Sequence, residues 1–588
     1  MSLLATEQET VVPSPGPGPP APGPAAAARR LPAWVRAETL FMGGATLLMA
    51  VLVLLPVGML LFTSIRIEEF GEASYFSLKN YTEFVVSPRI LRSIGNTLLV
   101  STGATLVAAL FGISLAWIHA RTNTPGRRLL EVFTLIPFFL SPYVGAIAWS
   151  YLAAPRVGML NGVLRGLLGL PGDPLSVYNR WGIIWVLALF FTPVMYLFVI
   201  GSLRRMDPAL EESARTSGSS LLRTTLRITL PLVTPSILSG AILVFVSCAG
   251  EFGVPLALGS PFKIETMTTQ IYNLTGGSNI DYNASAALSM VLAALTLTFV
   301  FIHRKIILPR GYTTVTGKGY RPNVINLGRW RYAALAFNCL YLLMAVVLPL
   351  LALLLVSISV RWEGRFDTGA LTLANYTYVF TYPLSARALW NSLKLAVAGA
   401  TLCMALTMLV AYTIHRGRGR ARGLVDLISS VPVGFPGIVL AMGILITYIR
   451  TPLYSTLWIL LVGYITRYMP YGQRMISSVL LSLSAELDQS SRTAGASWAT
   501  TLRRITLPLL KPGIVAGWLL LFVIFLREFP ISALLYKGGL EVLSVAVWYF
   551  VEHETAVRTA AVAMVQVGLL LVAIFLFRRL AGTDELTV

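Results

Sequence analysis

Long apolar runs constrain this chain more than any other feature. Of its 588 residues, 56% are hydrophobic and 12% are charged, whereas a soluble domain has about 25% charged residues. A bilayer-crossing helix needs about 20 apolar residues. Runs of that length lie at about 38–65, 94–118, 131–155, 181–203, 236–258 and 284–303, and again at about 332–359, 390–414, 426–449, 454–478, 513–535 and 557–577. The sequence therefore predicts an all-α membrane protein with about twelve transmembrane helices.

The basic residues, which give a net charge of +20, cluster in alternate connections between these runs. They lie before the first run, at 121–128, 204–227, 304–331 and 416–422, and at 578–579 after the last. The intervening connections carry more acidic residues. Because positive loops stay on the cytoplasmic side, both termini are predicted to be cytoplasmic. The basic residues are then expected to lie beside a lipid bilayer, and no nucleic-acid-binding surface is expected.

The second half of the chain repeats the first. Asn-Tyr-Thr at 80–82 recurs at 375–377, an offset of 295, and a polar segment at 210–218 recurs at 487–495, an offset of 277. About 18 extra residues therefore lie in the first half, within 155–180. Six runs and the same charge pattern in each half predict two parallel six-helix repeats, related by an axis along the membrane normal.

These patterns divide the chain into five segments. Residues 1–36 form a Pro- and Ala-rich tail that is predicted to be disordered and cytoplasmic. The first membrane domain is placed at 37–303 and the second at 332–580. A basic cytoplasmic linker, 304–331, joins them, and 581–588 form a short cytoplasmic tail.

The repeated polar segment is predicted to be a short cytoplasmic helix. Asp207-Pro208 and Ser484 are good helix starts, and Gly218 and Gly495 suit a left-handed C-terminal residue. Small residues on an exposed face would let another surface approach closely, and two copies at a pseudo-twofold position suit a twofold partner. The candidate docking residues are Glu211, Glu212, Ser213, Ala214 and Gly218 in the first copy and Asp488, Gln489, Ser490, Ser491 and Gly495 in the second.

The first copy reads Glu212-x-Ala214-x3-Gly218-x9-Ile228-x-Leu-Pro231, which resembles the signature loop of ABC importer permeases of the binding-protein-dependent class. The second copy departs at two positions, where Gln and Ser replace Glu and Ala. The resemblance implies a type I importer permease fold with two fused halves in the bacterial inner membrane. It also implies two copies of a cytoplasmic ABC ATPase as partners and an extracytoplasmic solute-binding protein.

No ATP site is predicted in this chain. Residues 311–319 resemble a phosphate loop but have one residue too many between the glycines and no Ser or Thr after the lysine. No catalytic constellation and no metal-ligand spacing is readable. We therefore expect no cofactor on this chain, with ATP and Mg on the partner ATPase, and a transport subunit rather than an enzyme.

Two carboxylates at equivalent positions, Glu251 and Glu528, fall within or near the ends of apolar runs. Acidic residues in a membrane are costly and indicate a pathway by default, so both are candidate translocation residues. The alternative is local pairing, since Arg527 adjoins Glu528. Glu131 and Asp426 are predicted to form interfacial ion pairs with arginines at 127–128 and 420–422. Arg467 and Arg474 are interpreted as snorkelling or loop-facing.

The cargo is the least constrained feature. A fused double permease resembles the iron(III) transport group, and also thiamine permeases. Residues 251–255, Glu-Phe-Gly-Val-Pro, with 268–272 downstream, resemble the iron(III), polyamine and phosphonate branch. Ferric iron is the first expectation, with thiamine, polyamine or phosphonate as alternatives. A different class, an ion-coupled secondary transporter using Glu251 and Glu528 as coupling sites, also stays open.

Overall fold

The structure is a computed structural model that describes residues 33–68, 73–169, 172–207, 209–276, 280–307, 324–364, 369–416 and 421–581. Most of the predicted N-terminal tail, the centre of the predicted linker, Pro208 and nearly all of the C-terminal tail lie outside the described residues.

Within the described residues, the first half folds into thirteen α-helices and one small sheet. Strands β1 (Arg66–Ile67) and β2 (Tyr75–Phe76) pair antiparallel. The helices are α1 (Ala33–Ser64), α2 (Pro88–Arg121), α3 (Arg127–Thr134), α4 (Ile136–Phe139), α5 (Pro142–Ala153), α6 (Met159–Leu168), α7 (Arg180–Arg205), α8 (Ala209–Thr216), α9 (Leu221–Thr224), α10 (Leu230–Ala249), α11 (Gly253–Leu258), α12 (Met267–Asn273) and α13 (Tyr282–Ile302).

The second half repeats this order, and its described residues hold no counterpart of α6, which lies in the predicted insertion at 155–180. Its helices are α14 (Trp330–Leu342), α15 (Leu348–Ser357), α16 (Ala374–Thr381), α17 (Pro383–Arg416), α18 (Ala421–Ser430), α19 (Gly437–Tyr448), α20 (Leu457–Ser482), α21 (Ala485–Thr493), α22 (Trp498–Thr501), α23 (Leu507–Leu526), α24 (Pro530–Leu535), α25 (Leu543–His553) and α26 (Ala556–Ala581). Short π-helical or 3₁₀ turns lie at 80–84, 225–229, 260–262, 303–307, 343–347, 431–434 and 502–506.

Among the described residues, nine helices are long and apolar enough to cross a membrane, or up to eleven if each of two bent pairs counts as one span. The prediction was about twelve. The remaining run is α20, which has 26 residues and packs against α17 and α23 inside the bundle. Its two arginines, Arg467 and Arg474, make it more polar than the other spans.

The third span of each half is broken rather than continuous. Residues Arg127–Phe139 meet α5 at 100°, and Arg422–Gly434 meet α19 at 109°. Proline explains both breaks, because Pro142 and Pro436 stand at the start of the second helix, where a missing N–H is tolerated but the preceding helix cannot continue. Each break leaves backbone carbonyls without helical partners in the middle of the apolar layer.

The fifth span of each half starts and ends earlier than the predicted 236–258 and 513–535. It runs over Leu221–Ala249 in the first half and Trp498–Leu526 in the second. Pro231 and Pro508 lie inside these spans rather than at their start. Each follows a π-helical turn, 225–229 or 502–506, because a proline cannot donate to the carbonyl four residues before it. Glu251 and Glu528 consequently lie just after the helix end.

The first helix of each half crosses to the other half. Helix α1 packs on α17 and α19, and α15 packs on α5. At Gly443 in α19 a Cβ would lie 2.7 Å from the Pro56 carbonyl oxygen of α1, so this crossing needs glycine. Thus the predicted domain boundaries follow the sequence repeat, while the packing interleaves the two halves.

The predicted repeat register is visible in side-chain bonds. The Asn80 amide donates to the carbonyls of Ser64 (3.1 Å) and Arg66 (3.0 Å). The Asn375 amide donates to those of Ser357 and Ser359, both at 2.9 Å. The same residue thus ties down the end of the first span in each half, and it aligns the first helices at an offset of 293.

Candidate functional site: two docking helices and a central cavity

The two predicted docking helices form with the predicted ends. The Asp207 carboxylate accepts from the Ala209 N–H at 2.9 Å before α8, and the Ser484 hydroxyl accepts from the Glu486 N–H at 3.2 Å in α21. Gly218 has φ +84° and Gly495 has φ +87°. These left-handed residues end both helices and turn the chain toward α9 and α22.

The ten candidate docking residues do not all face outward. The exposed ones are Glu212, Ser213, Gly218, Gln489, Ser490 and Gly495. Ala214 and Ser491 are half-buried, and the Ser491 hydroxyl lies 2.9 Å from that of Thr501. Glu211 and Asp488 are buried. These two acids are therefore turned toward the membrane bundle and away from any partner that would dock on the opposite face.

In the first half, Glu211 joins three elements. One carboxylate oxygen accepts from the Thr229 hydroxyl at 2.6 Å, and the other lies 3.5 Å from Arg121 Nε. Arg121 ends α2 with a fully buried side chain, and Thr229 precedes α10. We call Arg121, Glu211 and Thr229 the first latch. It ties the docking helix to the ends of two long membrane helices.

In the second half, Arg416, Asp488 and Thr506 form the second latch. The Asp488 carboxylate accepts from the Thr506 hydroxyl at 3.1 Å and lies 3.4 Å from Arg416 Nε. Arg416 also donates to the Leu483 carbonyl at 2.9 Å. The members sit at the repeat offsets of 295 and 277 from those of the first latch. Sequence reasoning missed Arg121 and Arg416, because both look like ordinary positive loop residues.

The membrane acids lie together in one central cavity of about 310 Å³ between the halves. The charged residues that line it are Glu251, Arg467, Arg527 and Glu528. Two positive and two negative side chains therefore share one enclosure. The interpretation of Arg467 as snorkelling was wrong, because it faces this cavity; Arg474 is exposed, as expected for a loop-facing charge.

The two glutamates also cap short helices. The Glu251 carboxylate accepts from the Gly253 N–H at 3.1 Å, at the start of α11. The Glu528 carboxylate accepts from the Ile531 N–H at 3.0 Å, the Ser532 N–H at 3.1 Å and the Ser532 hydroxyl at 3.0 Å, at the start of α24. A negative group at a helix N-terminus is stabilised there. Glu528 is held by more donors than Glu251.

The two arginines bind the carbonyls that the helix breaks leave open. Arg527 donates to the carbonyls of Phe138 and Leu140, the latter at 2.8 Å. Arg467 donates to the Phe435 carbonyl at 2.6 Å. Leu140 and Phe435 are repeat equivalents, yet both arginines come from the second half. The local pairing of Glu528 with Arg527 that the sequence left open is replaced by capping of backbone groups.

Aromatic side chains complete the cavity. Tyr143, Tyr468 and Tyr471 line it together with the two glutamates, and Tyr143 stacks on Phe529 with ring centroids 4.3 Å apart. The sequence showed no such grouping of tyrosines and carboxylates, because the residues come from separate spans. In the described part of the chain, no three His, Cys, Asp or Glu residues are placed to hold a metal ion.

Glu131 and Asp426 each contact a residue of a neighbouring long helix, α7 or α20. Glu131 pairs with Arg204 at 2.7 Å, rather than with Arg127 or Arg128. The Asp426 carboxylate accepts from the Gln473 amide at 3.4 Å. Arg420, one of the predicted partners of Asp426, lies outside the described residues. For Glu131, nearness in sequence indicated the wrong arginines.

Three comparisons place the chain among known proteins. A family model described as "Binding-protein-dependent transport system inner membrane component" matches residues 108–310 and 404–582. An Fe(3+)-transport system permease protein of Haemophilus influenzae is 25% identical over 568 residues, 94% of this chain and 99% of that one. A ferric transport system permease protein of Actinobacillus pleuropneumoniae is 26% identical over 469 residues, 78% of this chain and 67% of that one.

Half-length relatives match as well. A sulfate transport system permease protein of Salmonella typhimurium is 27% identical over 263 residues, covering 45% of this chain and 90% of its own. A solved bacterial ABC transporter for import of the polysaccharide alginate has a TM-score of 0.35 and 18% identity, covering 43% of this chain and 96% of that one. A likeness at that level adds nothing to the argument.

Proposed function

Because this chain belongs to the family of binding-protein-dependent transport system inner membrane components, we propose that it carries ferric iron across the membrane in an ATP-driven importer. The chain is a multi-pass permease of the ABC importer class, a transport subunit rather than a catalytic one. Ferric iron as the cargo rests on one observation above all. The relative that matches this fused chain nearly end to end is named as an Fe(3+)-transport permease.

The central cavity supports this cargo chemically. Its carboxylates and tyrosines offer oxygen atoms, the ligands that hard cations prefer over nitrogen and sulfur. Arg467 and Arg527 balance the charge of Glu251 and Glu528. A transport route must bind its ion strongly enough to admit it and weakly enough to release it. A cavity with balanced charges meets that requirement better than a pair of bare carboxylates.

The driving force comes from outside this chain. We assign α8 and α21 as docking helices for two copies of a cytoplasmic ABC ATPase, which holds the ATP and Mg. Their exposed small residues and pseudo-twofold placement suit such a pair. Both termini are then cytoplasmic. ATP-driven closure of the ATPases moves the docking helices, and the bundle opens outward to take cargo from an extracytoplasmic binding protein.

The cargo is tested by ATPase stimulation. The full chain is reconstituted with its ATPase and its binding protein, and candidate cargoes are added one at a time. Ferric-loaded binding protein is expected to raise ATP hydrolysis above the level with empty binding protein. Thiamine, spermidine and a simple phosphonate are the matched alternatives. Stimulation by one of these three and not by ferric iron would overturn the iron assignment and leave the permease class standing.

A further inference from the structure

A second, larger cavity lies beside the first docking helix. Its volume is about 520 Å³, and its walls come from α2, α7, the segment α9–α10 and α14. Trp117, Leu221, Val233, Ala334 and Phe337 are among its lining residues, and most of the others are also apolar. This volume is within the range of about 300–1,000 Å³ that holds small ligands in proteins. The proposed transport cycle gives this cavity no role.

Beside the second docking helix, two aromatic side chains occupy part of the equivalent space: Trp498 of the second half, which is buried, and Phe41 of the first half, which is 60% exposed. Trp498 is the repeat equivalent of Leu221, and Phe41 is that of Ala334 at the offset of 293. The Phe41 and Trp498 rings stack with centroids 6.0 Å apart, and Tyr412 meets Trp498 edge-on at 6.4 Å. Thus the same position holds two aromatic rings beside α22, and a leucine and an alanine beside α9. The aromatic rings beside α22 show that this position accommodates apolar groups.

The cavity lies at one surface of the membrane. Leu221 and Trp330 are the first residues of two spans, Leu221–Ala249 and Trp330–Ser357. From Trp330 to Phe337 the cavity reaches seven residues into the membrane, about 10 Å along a helix. At its mouth Leu222 is 69% exposed and Trp330 is 76% exposed. An opening lined by such residues at this depth faces lipid.

Basic residues surround the mouth. Arg223 follows Leu222, and Arg329 and Arg331 stand on either side of Trp330; Arg223 and Arg329 are exposed. The Arg331 Nε is buried and makes no hydrogen bond within the part of the chain that the structure describes. The positive-inside pattern puts this surface on the cytoplasmic side, whose leaflet carries anionic lipids that basic side chains attract. An apolar cavity with a basic mouth at that level complements a molecule that has an apolar chain and a negatively charged head.

We propose that this cavity binds an anionic phospholipid of the surrounding bilayer. One acyl chain fills the space that Phe41 and Trp498 occupy beside α22, and the phosphate lies against Arg223 and Arg329. The lipid thereby packs against α9, as Phe41 packs against Trp498 of α22. Helix α9 leads into Thr229 of the first latch. The lipid therefore helps to position the first docking helix and not the second.

Photo-cross-linking tests the proposal. The full-length chain is placed in nanodiscs of phosphatidylcholine with phosphatidylglycerol that carries a diazirine on its acyl chain, and cross-linked peptides are mapped. We expect cross-links on α9 and α14. The double variant Leu221→Trp, Ala334→Phe rebuilds the aromatic pair and should lose them, while cross-links on the outer faces of other spans remain. Unchanged cross-linking at α9 and α14 in this variant would overturn the proposal.

Two further variants keep the test independent of folding defects. Arg223→Gln with Arg329→Gln changes only exposed side chains and should reduce the cross-links of phosphatidylglycerol to the level given by diazirine-labelled phosphatidylcholine. A preference that survives would contradict the headgroup assignment. The matched change Phe41→Ala with Trp498→Leu should create new cross-links on α22. Absence of cross-links on α9 and α14 in the wild type would mean that protein, rather than lipid, fills the cavity.

Discussion

The two latches use the same three positions but differ in how much water reaches them. In the first latch the Arg121 side chain is 0% exposed, and in the second the Arg416 side chain is 16% exposed. Arg416 also has the Leu483 carbonyl as a second acceptor, whereas the three guanidinium nitrogens of Arg121 make no hydrogen bond within the described residues. The ion pair with Glu211 is therefore the chief compensation for burying Arg121.

In this fused chain, the two copies of the latch therefore differ in strength. A buried charge that loses its partner is costly, and the cost is smaller for a partly hydrated charge that keeps a second acceptor. The first docking helix is consequently fixed more firmly to α2 and α10 than the second is to α17 and α23. In the proposed complex with two ATPases, the two docking helices would therefore transmit motion to the membrane helices with unequal stiffness.

The largest effect is expected for Glu211→Ala. It leaves Arg121 buried and unpaired, which costs about 3–5 kcal/mol. Hydrogen exchange of the α8 amides should accelerate, because local opening becomes easier. Ser213→Ala, an exposed change on the same helix, is the matched control and should alter stability by less than about 0.5 kcal/mol. Equal protection of α8 in both variants would contradict the first latch.

Asp488→Ala should have the same kind of effect at a smaller size. Arg416 keeps the Leu483 carbonyl and some solvent, so the loss is about 1–3 kcal/mol. Exchange of the α21 amides measures it, with Gln489→Ala as the exposed control. A loss of stability as large as that caused by Glu211→Ala would show that the two latches are equally strong.

Substitution of the glycine that ends each docking helix should have the next largest effect, and it should be equal in the two halves. Gly218→Ala and Gly495→Ala each place a Cβ on a residue with positive φ, which costs about 1–2 kcal/mol. No other atom lies within 4 Å of either Cβ position, so strain is the only cost. Thermal unfolding of the two variants should shift by similar amounts. A large difference between them would show that the helix ends, and not only the latches, have diverged.

The smallest effect is expected for the threonines. Thr229→Val and Thr506→Val each remove one hydroxyl donor from a carboxylate that keeps its arginine, a loss of about 1 kcal/mol. The bond is 2.6 Å in the first latch and 3.1 Å in the second, so the first variant should unfold slightly earlier. Thr224→Val, beside the first latch, serves as a control. The reverse order would count against a tighter first latch.

The features that could be predicted from the sequence are those that depend on local pattern or on the repeat. The short docking helices follow from Asp207, Ser484 and the two glycines, each of which acts on neighbouring backbone. The parallel repeat follows from two offsets, and these also align both latches. The all-α membrane class follows from hydrophobic run length, which does not depend on how the helices pack.

The features that could not be predicted depend on contacts between distant segments. Arg121 and Glu211 are 90 positions apart, and a positive residue after an apolar run is normally a loop residue. The roles of Arg467 and Arg527 were harder to predict. Their acceptors are backbone carbonyls that lack helical partners only because Pro142 and Pro436 break the third spans. A sequence shows prolines and arginines separately, and only the packed structure joins them.

The most direct test of the central claim is iron uptake by proteoliposomes that contain the full chain, its ATPase and its loaded ferric binding protein. Radioactive iron should enter only with ATP. Gly218→Asp combined with Gly495→Asp, which disturbs both docking helices, should abolish ATP-coupled uptake while the chain still inserts into the membrane. Normal uptake by this double variant, or uptake driven by an ion gradient without any ATPase, would contradict the account.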